Sequence, residues 1–91
     1  MNAIERQRWL RIRLSVAAYA YEFKSISIMS DGEFDKMSLE VDPKITTGNR
    51  KLDVFFRREF HPDTGQWVHK HPEKHKLKHI FNTYLGDTHE L

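Results

Sequence analysis

From Ala3 to Phe23 the chain contains neither proline nor glycine. Its apolar residues recur at helical spacing, so an α-helix is the only regular element that suits a segment of this length. At an advance of about 100° per residue, Trp9, Ile12, Val16, Tyr19 and Phe23 form one stripe, and Leu10, Leu14, Ala17 and Tyr21 form a second. Arg8 and Arg11 separate the stripes on one side, Arg6 and Arg13 on the other. A helix with two apolar stripes needs two packing partners. Either it runs through the middle of a small bundle or it gives one stripe to another chain; the first arrangement is expected.

The remaining sequence supplies the rest of such a bundle. Ser30-Asp31-Gly32-Glu33 has the form of a capping box, with the Ser30 side chain taking the Glu33 amide and Glu33 reaching back to the Ser30 backbone. A second helix starts there, with Phe34, Met37, Leu39 and Val41 as its apolar positions, and Asp42-Pro43 stops it. The alternating Ser25 to Met29 run is too short for a convincing strand and is expected to be a packed loop. Thr46-Thr47-Gly48-Asn49 is a turn with capping residues, after which Leu52, Phe55, Phe56 and Phe60 predict a third helix. His61-Pro62-Asp63-Thr64-Gly65 is a second turn, and Trp67 beside it is expected to plug the core. Pro72 suits the first turn of a last helix, with Leu77, Ile80, Phe81, Tyr84 and Leu85 buried and Gly86 ending it. The reading is a compact all-α fold of about four helices, one domain over residues 1–91, since 91 residues cannot support two separate cores.

Composition excludes several chemistries. No cysteine is present, so disulfides, thiolate nucleophiles and Cys-ligated zinc are ruled out, and the composition suits a reducing cytoplasm. The weakly charged run from Leu14 to Phe23 is too short to span a bilayer, and the first residues lack the apolar block of a signal peptide. No Ser-His-Asp set, paired-carboxylate cleft or phosphate-cradling glycine loop is evident, so no catalysis and no cofactor are expected.

The net charge of +2 says little, but its distribution is uneven. Lys70, Lys74, Lys76 and Lys78 alternate with His69, His71, His75 and His79. Their spacing resembles a divalent-metal site, yet the lysines repel a cation, so no metal is expected there. The stretch is read instead as an anion-facing surface, with Lys70, Lys74, Lys76, Lys78, His71 and His75 as candidate partner-binding residues. Trp67 beside it is compatible with contact to nucleic acid, but no nucleic-acid-binding motif accompanies it, and a protein partner is favoured. Lys51-Leu52-Asp53-Val54 shares its Lys and Asp with the Lys-x-Asp-Gly motif of nucleotidyltransferases but lacks the glycine; Lys51 and Asp53 are expected to be exposed helix residues.

Two further runs carry a family resemblance. Tyr19-Ala20-Tyr21-Glu22-Phe23, followed by Met29-Ser30-Asp31-Gly32-Glu33-Phe34-Asp35-Lys36-Met37, resembles the N-terminal Ia subdomain of NAD-dependent DNA ligases. That subdomain carries Tyr-x-Tyr-His on its first helix and an Asp-x-Glu-Tyr-Asp run at the start of its second. The resemblance implies that Tyr21, Asp31 and Asp35 would contact the nicotinamide mononucleotide half of NAD. Glu22 stands where the family has His, and Phe34 where it has a second functional Tyr. Separately, Thr47-Gly48-Asn49 with Leu52-Asp53-x-Phe55-Phe56, and Asp63 to Pro72, look like segments of small uncharacterised bacteriophage proteins. That resemblance implies an accessory or anti-defence protein acting stoichiometrically on a macromolecular partner.

Overall fold

The computed structural model describes residues 1–83. Among these residues four α-helices and one short 3-10 helix succeed one another: α1 Ala3–Lys24, α2 Asp31–Glu40, α3 Arg50–Glu59, the 3-10 turn Gln66–Lys70 and α4 Lys74–Phe81. Among the described residues there is no strand, and Ser25 to Met29 forms an irregular loop whose Ile26, Ile28 and Met29 pack on the core. The fold is all-α, as the breaker-free segments predict.

Helices α1, α2 and α3 each begin where a side chain satisfies a free amide. Asn2 Oδ1 accepts from the Glu5 amide at 2.8 Å, Ser30 Oγ from Glu33 at 3.1 Å, and Asn49 Oδ1 from Leu52 at 3.2 Å. Glu33 differs from a standard capping box, because its carboxylate meets the Ser30 hydroxyl at 3.3 Å. Helix α4 has no side-chain cap and starts after the expected Pro72. The Glu73 amide there donates to His71 Nδ1 at 3.0 Å. The expected helical positions Tyr84, Leu85 and Gly86 lie outside the described residues.

Helix α1 is the axis of the molecule. All residues from Leu14 to Ala20 are buried, so this half is surrounded by the other elements, as a two-striped helix requires. The ends differ from the expected stripes. Trp9, Ile12 and Phe23 are 40%, 49% and 41% exposed, and Tyr21 is 61% exposed. The outer stripe is therefore covered only around Val16 and Tyr19. In α2, Leu39 points to solvent while Val41 is buried, because the helix ends at Glu40 and the chain turns inward there.

Trp67 does enter the core beside the Gly65 turn, its ring centroid 5.3 to 6.1 Å from those of Phe55, Phe56 and Phe60. The turn lies hard against α1: a Cβ on Gly65 would stand 3.1 Å from Ala18 Cβ. The small side chain of Ala18 permits this approach.

The first half of α1 is tied to the loop between α2 and α3 by polar side chains. Gln7 clamps a peptide, donating to the Glu40 carbonyl at 3.0 Å and accepting from the Asp42 amide at 2.9 Å. Arg8 donates through Nε and Nη2 to the Thr47 carbonyl. Arg11 places Nη1 2.8 Å from Asp53 Oδ1 and donates through Nη2 to the carbonyls of Asp42 and Ile45, each at 2.9 Å. Asp53, expected at the surface, is instead buried at 3% exposure, and the Thr47 amide and hydroxyl complete its shell. Burial alone would raise its pKa. The bonds from Thr47 and then from Arg11 outweigh that effect and hold it below the ordinary carboxylate value.

Candidate functional sites

Two recesses flank α1. The first opens between the second half of α1, the start of α2 and the Asp63 to Gln66 turn, and has a volume of about 380 Å³. Its walls combine Ala17, Ala18 and Phe34 with Tyr21, Glu22, Asp31 and Asp35, while Asp63 closes the far side. The structure thus brings Tyr21, Asp31 and Asp35 to one cavity. It also brings Glu22, Phe34 and Asp63 there, so four carboxylates face one volume. The His69 ring lies beside them, with Nε2 2.7 Å from Glu22 Oε1.

The second recess is a groove of about 260 Å³ between α1, α3 and α4. Its walls are apolar: Ile12, Leu52, Phe56, Leu77 and Ile80. Arg8, Lys76 and Glu73 also line it, and Arg11, Ser15 and His71 contribute buried polar groups. Lys76 Nζ lies 2.7 Å from Glu73 Oε2; this bond, ahead of the nearby charge of Lys51, holds the Glu73 pKa down despite its partial burial. The sequence did not single out this groove. Its signal was present in Ile12, an apolar residue set one helical turn after Trp9 between arginines.

The basic stretch does not form one uniform face. His71, a candidate partner-binding residue, is buried against Phe55, with ring centroids 5.0 Å apart, and is not available to a partner at the surface. Burial lowers its pKa to about 4, more than the opposing effect of Glu73 raises it. Its Nδ1 accepts the Glu73 amide, so the neutral ring carries its proton on Nε2. Lys74 donates to the carbonyls of His69 at 2.7 Å and His71 at 3.2 Å, which makes it a cap on the 3-10 turn. Lys70 lies 3.5 Å from Glu59, and Lys76 belongs to the rim of the groove. Lys78 and His75 are exposed.

No group of three or more His, Asp or Glu side chains converges on a metal-sized position among the described residues. None of the described helices is long and apolar enough to cross a membrane. Compared with family models, curated proteins and solved structures, the chain matches none.

Proposed function

We propose that this chain is a small binding protein that acts stoichiometrically on a macromolecular partner, as a bacteriophage accessory or anti-defence protein would, and performs no catalysis. The observation that carries the reading is the groove between α1, α3 and α4, where apolar side chains line an open recess. An open apolar recess beside Trp9, exposed one helical turn before Ile12, is the kind of surface that proteins use for partners. The perturbed titratable groups Asp53, His71 and Glu73 serve internal bonds, which accords with a non-catalytic role. A protein partner suits the groove better than nucleic acid, since a phosphate backbone would leave its walls wet.

The test is affinity isolation with cross-linking from the cells in which the protein acts, using the wild type and Ile12→Glu. Ile12 is half exposed, so the variant should fold. A partner retained by the wild type and lost by Ile12→Glu is expected. A partner held equally by both would move the binding surface elsewhere.

A second reading is favoured by the meeting of Tyr21, Asp31 and Asp35 at the other recess. These are the positions that the ligase Ia resemblance implies for nicotinamide mononucleotide, whose pyridinium ring is cationic. The four carboxylates there would welcome the ring and repel the phosphate.

A further inference from the structure

The charges around the apolar groove are one-sided. Arg8 and Lys76 line it, and Lys51 is near enough to Glu73 to lower the pKa of that carboxyl. Glu73 is the acidic residue of the lining and is already bonded to Lys76. Outside the groove lining, the guanidiniums of Arg6 and Arg13 stand 5.0 and 5.7 Å from the centre of the exposed Trp9 ring, and Arg6 is paired with Glu40. Among the described residues neither Arg8 nor Arg13 has a carboxylate within ion-pair distance. At the floor, Arg11 Nε and Ser15 Oγ are buried without a hydrogen-bond partner.

We infer that this groove takes an acidic amphipathic segment of a partner protein, seating its apolar residues on Ile12, Leu52 and Ile80 and its carboxylates against Arg8, Lys51 and Lys76. The inference rests on the binding reading above and names the chemistry of the partner. Apolar walls require apolar anchors, because burying them against a hydrated polyanion would gain nothing. Arg8, which has no carboxylate partner among the described residues, and Lys51, which is in no ion pair among them, select glutamate and aspartate over lysine and arginine among the residues that flank such anchors. An amphipathic helix laid in a groove meets both demands at once, with anchors one and two turns apart.

The experiment uses the full-length protein and a fluorescent synthetic helix bearing a Leu/Phe stripe flanked by glutamates. A second helix has the same stripe flanked by lysines. Fluorescence anisotropy should show binding of the glutamate helix, weakening with added salt, and affinity for the lysine helix lower by about tenfold or more. Ile12→Glu and the double reversal Lys51→Glu with Lys76→Glu should each lower affinity for the glutamate helix by about tenfold while leaving Tm unchanged. Amide shifts in the nuclear magnetic resonance spectrum should fall within 8–15, 49–53 and 71–80.

Equal binding of the two helices, or binding of neither, overturns the inference. So do shifts confined to the acidic recess, displacement by a single-stranded oligonucleotide, a dimer abolished by Ile12→Glu, or binding that appears only after truncation to residues 1–83. If cellular capture still depends on Ile12 while both helices bind alike, the charge assignment fails and the binding reading stands.

Discussion

The guanidinium of Arg11 and the carboxylate of Asp53 meet at 2.8 Å, with both side chains about 4% exposed. This contact joins the first half of α1 to α3, and through Thr47 it also holds the loop between α2 and α3. That loop borders the apolar groove through Thr47 and Asn49. A buried ion pair contributes little by itself, since desolvation offsets much of the attraction, but a lone buried charge is costly.

Removing one partner should therefore cost more than removing both. Asp53→Asn or Arg11→Met is expected to lower stability by about 3 kcal/mol or more. The paired change Arg11→Met with Asp53→Leu should recover part of that loss. Chemical denaturation of the three variants measures this, and additive losses would show that the contact is not coupled.

Acid should loosen the protein in two stages. His71 is neutral when folded, with its pKa lowered from 6.5 to about 4, so between those values the unfolded chain binds a proton that the folded chain does not. Stability is then lost as pH falls below about 6.5, by an amount on the order of 3 kcal/mol when pH 4 is reached. Asp53 has a folded pKa lowered from 3.8, so its contribution is present above that value and fades as pH falls further. His71→Phe should flatten the first stage. A pH profile of Tm unchanged by this substitution would contradict the assignment.

Much of the fold was legible because local signals and burial agree. The breaker-free run of α1, the Ser30 and Asn49 caps, and the Phe55-Phe56-Phe60 spacing each point to a helix whose packing confirms it. The polar core was not legible. Arg11 and Asp53 have the residue types of a solvated face, and only their partners, 42 positions apart in sequence, make burial tolerable. Helical spacing alone gives no view of such pairing. His71 was misplaced for the same reason, since alternation with lysines suggests a surface while its ring packs on Phe55. The acidic recess was readable from the Tyr21, Asp31 and Asp35 motif, but Asp63, which closes it, comes from a distant turn.

The close approach of the Gly65 turn to α1 also has a measurable cost of disruption. A Cβ there would stand 3.1 Å from Ala18 Cβ and 3.4 Å from the Phe34 ring. Ala18 Cβ is fixed by the helix backbone and cannot swing aside. Gly65→Ala should lower stability by about 1–2 kcal/mol, and Gly65→Val by more. A thermal melt of Gly65→Ala matching the wild type would show that the turn has room to move.

The acidic recess is expected to bind no nucleotide. Nicotinamide mononucleotide at millimolar concentration should leave the Tm unchanged, because Glu22 and Asp63 oppose its phosphate. A saturable rise in Tm, as mass action gives for a ligand that binds only the folded state, would instead support the nucleotide reading if Asp35→Ala abolished it.

Hydrogen–deuterium exchange of the protein alone and in complex with its isolated partner locates the binding surface. Added protection is expected over residues 8–16 of α1, the start of α3 and residues 76–80 of α4, with little change at 27–36 and 63–66. Protection concentrated at 27–36 and 63–66, with the groove segments unchanged, would contradict this and transfer the function to the acidic recess.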